Sequence, residues 1–277
     1  MTRLCGVTGD PIAQSLSPLI HRGWMREHKL DAEYLAMQIA DGELEQGLET
    51  LVRRGIHGLN VTLPHKEKAL ALAASATDRA KIIGAANTLW RPRDGTWHAD
   101  NTDAPGFLAS LGGLIDRPLE GQRVLVFGAG GSARAIVYAL HTKGVSIVLA
   151  NRTLARAEAL IAGYGAEGAG LGHRAVSLEA ALEHQKTADF IVNTTSLGYS
   201  GGAFDLAEGH GRLFYDISYG APAASVSASA QNAGWAVADG VLMLVYQAAF
   251  SFERWFGIMP DIESARDRVQ RAVDAVS

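Results

Sequence analysis

Residues 123–150 contain the feature that most restricts the folds open to this chain. The apolar run RVLVF at 123–127 is followed by the glycine-rich turn of FGAGGSARA, and VSIVLA at 145–150 is a second apolar run. Helical periodicity between the two runs predicts a helix over 132–143. A strand, a glycine-rich turn, a helix and a second strand make a βαβ unit, so this half of the chain is predicted to be an α/β domain.

The turn of this unit has the spacing GxGxxA in Gly128, Gly130 and Ala133. Glycines there allow a tight turn and the close approach of a pyrophosphate, which rests on amide groups at the start of the helix. The alternative is a glycine-rich βα turn with no ligand. The residues predicted to bind a dinucleotide are Gly128, Ala129, Gly130, Gly131, Ser132 and Ala133.

The end of the second strand distinguishes between the two nicotinamide cofactors. An NAD-specific site normally has an acidic residue there for the ribose 2′-hydroxyl, but this chain has Asn151, Arg152 and Thr153. Arg152, with Arg156 one turn along the next helix, suits a 2′-phosphate. NADP is therefore predicted, with NAD possible, and the alternative is that both arginines are solvated charges at a helix start.

The first hundred residues alternate between predicted strands and helices, which indicates a second α/β domain. A hairpin is predicted around RPRDG at 91–95, and a loop at 163–173. A helix capped by Asp239 and running to 257 is expected to pack back on the first domain. The predicted domains are listed by residue number: a substrate-binding and catalytic domain, 1–103 completed by 240–277, and a Rossmann-like domain, 104–239. The predicted strands are 4–7, 32–38 and 58–63, and the predicted helices are 18–28, 42–54 and 66–74.

The segment GLNVTLPHK at 58–66 places a lysine where a helix is predicted to begin, although a helix start favours anions. Asn60 and Thr62 are two apart and share a face if the segment is a strand. Lys66 and Asp103, at the end of DNTD near the predicted domain boundary, could manage a proton during reduction of a carbonyl. The alternative is a surface lysine and a helix-capping aspartate.

Further polar residues are candidates for the same site. Ser15 and Ser17 precede a predicted helix, and their spacing allows both hydroxyls to face one space. Ser17 before Pro18 is also a natural helix cap, and Asn87 in GAANT could equally be a turn residue.

The balance of charge argues for a small-molecule partner. The chain of 277 residues has 25 Lys and Arg against 29 Asp and Glu, so nucleic acid and membrane surfaces are not predicted partners. A single cysteine, Cys5, excludes an internal disulfide and fits a reducing compartment, and a cytoplasmic location is predicted. His21, His28 and His57 form no compact ligand pattern, so no metal site is predicted. A monomer and a homodimer both stay open.

Seven ordered motifs, GDPIAQSLSP, GLNVTLPHK, GAANT, DNTD, GAGGSARA, NRT and DGVLMLVYQAA, resemble the shikimate dehydrogenase family over nearly the whole chain. The resemblance implies reversible NADP-dependent reduction of 3-dehydroshikimate to shikimate, with Lys66 and Asp103 as the catalytic pair. It implies these substrate-binding residues: Ser15, Ser17, Thr62, Asn87, Gln247 and, more weakly, Tyr215. It also implies these further cofactor-binding residues: Asn193, Thr194, Thr195, Gly240 and Met243.

Two departures from the family pattern concern specificity. Gln14 stands where the family usually has histidine, and 220–228 departs from the usual family sequence beside the expected site. Quinate or a related hydroxy-cyclohexane carboxylate is therefore an alternative substrate. A non-catalytic protein that senses a dinucleotide or a shikimate-like ligand is an alternative from another functional class.

Overall fold

The computed structural model describes residues 2–275, which divide into two compact units. The first unit comprises 2–106 and 244–270, and the second comprises 107–243 and 271–275. The strands are β1 Arg3–Gly9, β2 Ala32–Gln38, β3 Ile56–Val61, β4 Ser75–Ala76, β5 Thr88–Trp90, β6 His98–Asp100, β7 Arg123–Phe127, β8 Ser146–Ala150, β9 Arg174–Val176, β10 Phe190–Asn193, β11 Leu213–Asp216 and β12 Ala236–Ala238. The helices are α1 Ser17–Glu27, α2 Leu44–Arg53, α3 Lys66–Leu72, α4 Asp78–Ile83, α5 Asp103–Ser110, α6 Gly131–His141, α7 Leu154–Ala162, α8 Gly165–Gly170, α9 Ala181–Gln185, α10 Ala221–Asn232, α11 Val241–Phe256 and α12 Ile262–Asp274, with a 3-10 turn at Leu197–Ser200.

The first unit contains a mixed six-stranded sheet in the order β2-β1-β3-β5-β6-β4. Strand β1 pairs in parallel with β2 and β3, while β3, β5 and β6 pair antiparallel, which includes the predicted hairpin. Leu44, Leu48 and Leu51 have helical spacing on α2 and belong to the same buried cluster as residues of β3. Helix α11 packs against this sheet so closely that a Cβ on Gly58 would lie 2.5 Å from the ring of Trp255.

The second unit contains a fully parallel six-stranded sheet in the order β12-β11-β10-β7-β8-β9. This is the strand order of dinucleotide-binding sheets, in which the order reverses between the first and fourth strands. Strand β7 is that first strand and leads into α6 through the glycine turn. A ligand is therefore expected at the carboxyl ends of β7 and β10.

Three local predictions are wrong. Strand β3 ends at Val61, so Thr62 lies beyond the strand that was predicted to run to 63. Helix α8 lies within the segment predicted as a loop. Leu16 occupies the cap position of α1, and the Ser15 hydroxyl accepts a hydrogen bond from the backbone N–H of Ser17 at 3.3 Å.

Candidate active site

Lys66 and Asp103 form a buried ion pair in the first unit. Lys66 Nζ donates to Asp103 Oδ2 at 2.6 Å, and the side chains are 9% and 8% exposed. Each begins a helix, α3 and α5 respectively. The alternative of a surface lysine is therefore wrong, since both charged groups are almost fully removed from solvent.

The turn between β3 and α3 positions Lys66 for its contact with Asp103. The His65 N–H donates to Thr62 O at 3.0 Å, and the His65 ring Nε2 contacts Ile39 O at 2.8 Å from a buried position. The carbonyl of Lys66 accepts from the N–H of Ala86 at 2.9 Å, which joins α3 to the segment before β5. The lysine side chain thus extends from a backbone that is held on both sides.

Asn87 connects the ion pair to helix α11. Its Nδ2 donates to Asp103 Oδ1 at 2.8 Å and lies 3.2 Å from Gln247 Oε1. Its Oδ1 accepts the backbone N–H of Thr102 at 2.7 Å, which fixes the orientation of the amide because a backbone N–H can only donate. Both oxygens of Asp103 therefore have donors, one from Lys66 and one from Asn87.

The first residue of DNTD, Asp100, anchors the loop that carries Asp103. It is 1% exposed and accepts hydrogen bonds from Thr77 Oγ1 at 2.7 Å, from Arg79 Nη2 at 2.8 Å and from Arg254 Nη2 at 3.2 Å. Burial alone would raise the pKa of Asp100, but the bonds from Thr77 and the charge and bonds of Arg79 hold it below the usual value. Asp100 is thereby kept ionised as a structural anchor.

The remaining predicted substrate residues of the first unit lie at the ends of elements. Ser15 is half-buried before α1, Ser17 is buried at its first position, and Thr62 is half-buried just after β3. Gln247 is 9% exposed, and its Nε2 donates to Leu244 O at 2.8 Å. These side chains all belong to the unit that contains Lys66 and Asp103.

In the second unit, the glycine turn has the shape that a pyrophosphate requires. Gly128 has a φ of +105°, and a Cβ there would lie 2.4 Å from Thr194 Oγ1. A Cβ on Gly130 would meet nothing within 4 Å, so the space above this residue is open. Gly130 occupies the cap position of α6 with no side-chain hydrogen bond, and an open space at the start of a helix fits a phosphate.

The residues after β8 are placed at the edge of this turn. Arg152 and Arg156 are exposed, and within residues 2–275 neither guanidinium group makes a hydrogen bond or an ion pair. Asn151 Nδ2 donates to Thr153 O at 2.9 Å, which shapes the turn that presents Arg152. Two unengaged guanidinium groups after the second strand fit a 2′-phosphate.

The loop after β10 is built on buried polar contacts. Thr194 Oγ1 donates to Phe127 O at 2.6 Å, and Thr195 N donates to Asn193 Oδ1 at 2.9 Å. Asn193 Nδ2 donates in turn to Asp216 Oδ1 at 3.1 Å, and burial raises the pKa of Asp216. This network places Thr194 and Thr195 beside Gly128 at the carboxyl edge of the sheet.

The last predicted site residues lie on β11, between β12 and α11, and on α11. Tyr215 is fully buried, with its hydroxyl 2.7 Å from Ser110 Oγ, and burial raises its pKa. A Cβ on Gly240 would lie 2.0 Å from Ile217 O, so only glycine fits, and Met243 is 6% exposed. The roles of Tyr215, Gly240 and Met243 stay predictions.

Comparison with known proteins identifies the family. The substrate binding domain of shikimate dehydrogenase matches residues 7–89, shikimate / quinate 5-dehydrogenase matches 113–198, and the shikimate 5′-dehydrogenase C-terminal domain matches 240–270. A shikimate dehydrogenase (NADP(+)) of Hyphomonas neptunium is 48% identical over 277 residues and covers 100% of both chains. This chain belongs to the shikimate dehydrogenase family. The predicted family and the predicted NADP-dependent oxidoreductase class are confirmed.

Solved structures of the shikimate dehydrogenase family share the fold. The Thermus thermophilus shikimate 5-dehydrogenase in complex with NADP(H) and shikimate is 35% identical, covers 98% of this chain and 100% of its own, and superposes with a TM-score of 0.82. The Aquifex aeolicus shikimate dehydrogenase is 33% identical, covers 97% of each chain and has a TM-score of 0.84. The predicted fold class is therefore confirmed.

Three buried polar residues of the first unit were not predicted as site residues. Asp100, Tyr34 and Ser251 are fully buried or nearly so. Asp100 accepts from Thr77 in the loop that carries Asp103, while Tyr34 donates to Asn60 and Ser251 accepts from Asn60. Asp100 had a sequence signal, because it opens the motif DNTD, but Tyr34 and Ser251 lie in ordinary strand and helix patterns.

Within residues 2–275, each helix is too short or too polar to span a bilayer, and these residues contain no group of three potential metal ligands.

Proposed function

We propose that Lys66 and Asp103 handle the proton in the reversible NADP-dependent reduction of 3-dehydroshikimate to shikimate. The observation that carries this assignment is the 2.6 Å contact between Lys66 Nζ and Asp103 Oδ2 in a nearly dry site. Burying such a pair costs desolvation free energy, so its presence at the start of two helices is better explained by chemistry than by stability. Bound NADPH supplies the hydride of the reaction.

The pair is suited to supply the proton that the reduced carbonyl oxygen needs. Lys66 Nζ carries the donor hydrogens, and Asp103 accepts one of them and so fixes the direction of the others. Asn87 holds the second oxygen of Asp103 and keeps the carboxylate from rotating. A proton donor held in this way contributes about 10²- to 10⁴-fold to a reaction of this kind.

We assign substrate binding to the first unit, with the carboxylate held by Ser15 and Ser17. Ser15 Oγ accepts a backbone N–H, so its own O–H is left to donate to an anion. The start of α1 also favours a negative charge. Thr62, Asn87 and Gln247 complete the proposed set of this unit for the ring and hydroxyl groups. Tyr215, which belongs to the second unit, stays the weaker assignment that the resemblance implied.

We assign cofactor binding to the second unit. Residues 128–133 would hold the pyrophosphate, because Gly130 opens on free space at the start of α6. Arg152 and Arg156 would hold the 2′-phosphate, and Asn151 and Thr153 would shape their turn. The remaining proposed contacts are Asn193, Thr194, Thr195, Gly240 and Met243.

The test is a set of steady-state rates with shikimate or quinate and with NADP or NAD. We expect the highest kcat/KM with shikimate and NADP, and a higher value with quinate would assign the alternative substrate. Lys66→Ala should lower kcat by about 10²- to 10⁴-fold while leaving the Kd for NADP nearly unchanged. Lys68→Ala is the matched control, because Lys68 is exposed on the same helix and should turn over like the parent.

Two results would contradict the proposal. If Lys66→Ala kept the parental kcat, the proton-handling role would be wrong. If ligands stabilised the protein against heat but no NADPH were consumed with 3-dehydroshikimate, the protein would be a sensor rather than an enzyme. The cytoplasmic location and the choice between monomer and homodimer stay predictions.

A further inference from the structure

Ser251 lies at the centre of a buried polar cluster in the first unit, where no substrate contact was predicted. It is fully buried on α11, one turn after Gln247. Its hydroxyl lies 2.8 Å from Asn60 Nδ2, 2.8 Å from Thr88 Oγ1, 3.2 Å from Thr102 Oγ1 and 3.0 Å from Gln247 O. A hydroxyl on the apolar face of a helix needs such partners, because an unsatisfied buried polar group is costly.

At the Asn60 end of this cluster, the direction of the hydrogen bonds is defined. The Tyr34 hydroxyl donates to Asn60 Oδ1 at 2.8 Å, which turns Asn60 Nδ2 towards Ser251. The Ser251 oxygen therefore accepts from Asn60, and the threonine hydroxyls complete its shell. The cluster contains no charged group, so it costs little to bury when every member is bonded.

At the other end the cluster reaches the ion pair through Asn87. The hydroxyls of Thr88 and Thr102 each lie within hydrogen-bond distance of both Ser251 and the Asn87 amide. Asn87 then donates to Asp103 Oδ1 at 2.8 Å. Ser251 is thus separated from the Asp103 carboxylate by one threonine and one asparagine.

We propose that Ser251 is a positioning residue for the reaction, whose hydroxyl holds Thr88 and Thr102 against Asn87 and so keeps Asn87 aligned with Asp103. This inference rests on the proposed role of Lys66 and Asp103. Ser251 touches neither residue of the pair, so its effect is on the rate of the proton step and not on cofactor binding. Without the Ser251 hydroxyl, each threonine hydroxyl would lose one of the partners that orient it and would keep only the other threonine, at 3.0 Å, and the Asn87 amide.

The experiment compares purified full-length variants with shikimate and NADP. Ser251→Ala should lower kcat by about 5- to 30-fold, leave the Kd for NADP unchanged and increase the solvent deuterium isotope effect on kcat. Thr88→Val, which keeps the shape but removes the hydroxyl, should behave similarly, while Thr88→Ser should keep the parental kcat. The double variant should lose less than the product of the two single losses, because both remove one link.

Ala249→Gly is the control for a purely structural effect. Ala249 is fully buried on the same helix. Its substitution by glycine destabilises the helix but removes no hydrogen-bonding side chain. It should lower the melting temperature but leave kcat and the isotope effect unchanged. If Ser251→Ala fails to fold, the contrast between Thr88→Val and Thr88→Ser decides the question alone.

The outcomes separate the two proposals. A parental kcat and isotope effect in Thr88→Val, or in a folded Ser251→Ala, would overturn the role of Ser251 while an inactive Lys66→Ala still supported the catalytic pair. A parental kcat in Lys66→Ala would overturn the pair itself. A fall in kcat of equal size in Ala249→Gly would also overturn the inference, since helix destabilisation would then explain both.

Discussion

Two glycines in the same turn are expected to respond in opposite ways to one added methyl group. Gly128 has a φ of +105°, and its Cβ would approach Thr194 Oγ1 to 2.4 Å. Gly130 has a φ of −90° and a ψ of −170°, and its Cβ would enter open space. Gly128→Ala is therefore a perturbation of folding, and Gly130→Ala is a perturbation of cofactor binding.

The magnitudes follow from these surroundings. A side chain at the φ of Gly128 costs about 1–3 kcal/mol in backbone strain, and the overlap with Thr194 adds about 1–3 kcal/mol. Thr194 cannot simply rotate away, because its hydroxyl donates to Phe127 O at 2.6 Å. Gly130→Ala should change the free energy of unfolding by less than about 1 kcal/mol, since alanine adopts its conformation without strain.

The effect on NADP is worked from the phosphate contact. A hydrogen bond to a charged group contributes about 1.5–3 kcal/mol, so displacing a pyrophosphate from one helix amide should raise the Kd by about 10- to 100-fold. The assay is urea unfolding of the cofactor-free protein, combined with calorimetric titration of NADP. If Gly130→Ala bound NADP with the parental Kd, the pyrophosphate would not lie over this residue. An unchanged unfolding free energy in Gly128→Ala would contradict the reasoning about strain.

Two further predictions concern charge. Arg152→Ala should raise the KM for NADP by about 10- to 100-fold and leave the KM for NAD unchanged, because only NADP has the 2′-phosphate; equal changes for both cofactors would contradict this role. Burial lowers the pKa of His21 to about 3, whereas in the unfolded chain it titrates near its ordinary value. The unfolded state therefore binds a proton that the folded state does not, and the free energy of unfolding falls as the pH decreases between these values. His21→Phe, which can keep the stacking on Tyr34 at 4.2 Å, should reduce that slope by about 1.4 kcal/mol per pH unit between about pH 4 and about pH 5.5, measured by urea unfolding. An identical slope in the variant would show that His21 is not buried as the neutral form.

The elements that were predicted correctly are those whose signal lies within a few residues. The strand at Arg123–Phe127 and the hairpin on either side of Asp94-Gly95 are examples, because an apolar run and turn chemistry are local signals. The prediction of a loop at 163–173 is wrong. It was based on the five glycines of this segment, which disfavour helices. Helix α8 forms there because Gly168 packs closely against Tyr164 and His173, where a Cβ would lie 2.7 Å and 3.1 Å away.

The residues of the candidate site also divide into those that local sequence signals could identify and those that they could not. Lys66 and Asp103 could be selected because each is unusual in its own motif. The position of Asp100 in DNTD also marked it, but its role as an anchor could not be predicted, since its partners Arg79 and Arg254 are 21 and 154 residues away. Serine before proline suggested that Ser17 caps α1. In the structure the helix begins at Ser17, so Leu16 takes the cap position, and the Ser15 hydroxyl accepts the backbone N–H of Ser17.

The sequence by itself determined the strand, glycine turn and helix at 123–141, and the residues after the second strand predicted NADP, while the role of Arg152 stays a prediction. Both depend on neighbouring residues, whose geometry is set by backbone sterics and by the position of a turn between two elements. Only the tertiary structure decided that Lys66 meets Asp103, 37 residues away, and that Asn87 meets Gln247, 160 residues away. Contacts across such separations depend on how the sheet and helices pack, because side chains distant in the chain meet only when a shared core holds their backbones together.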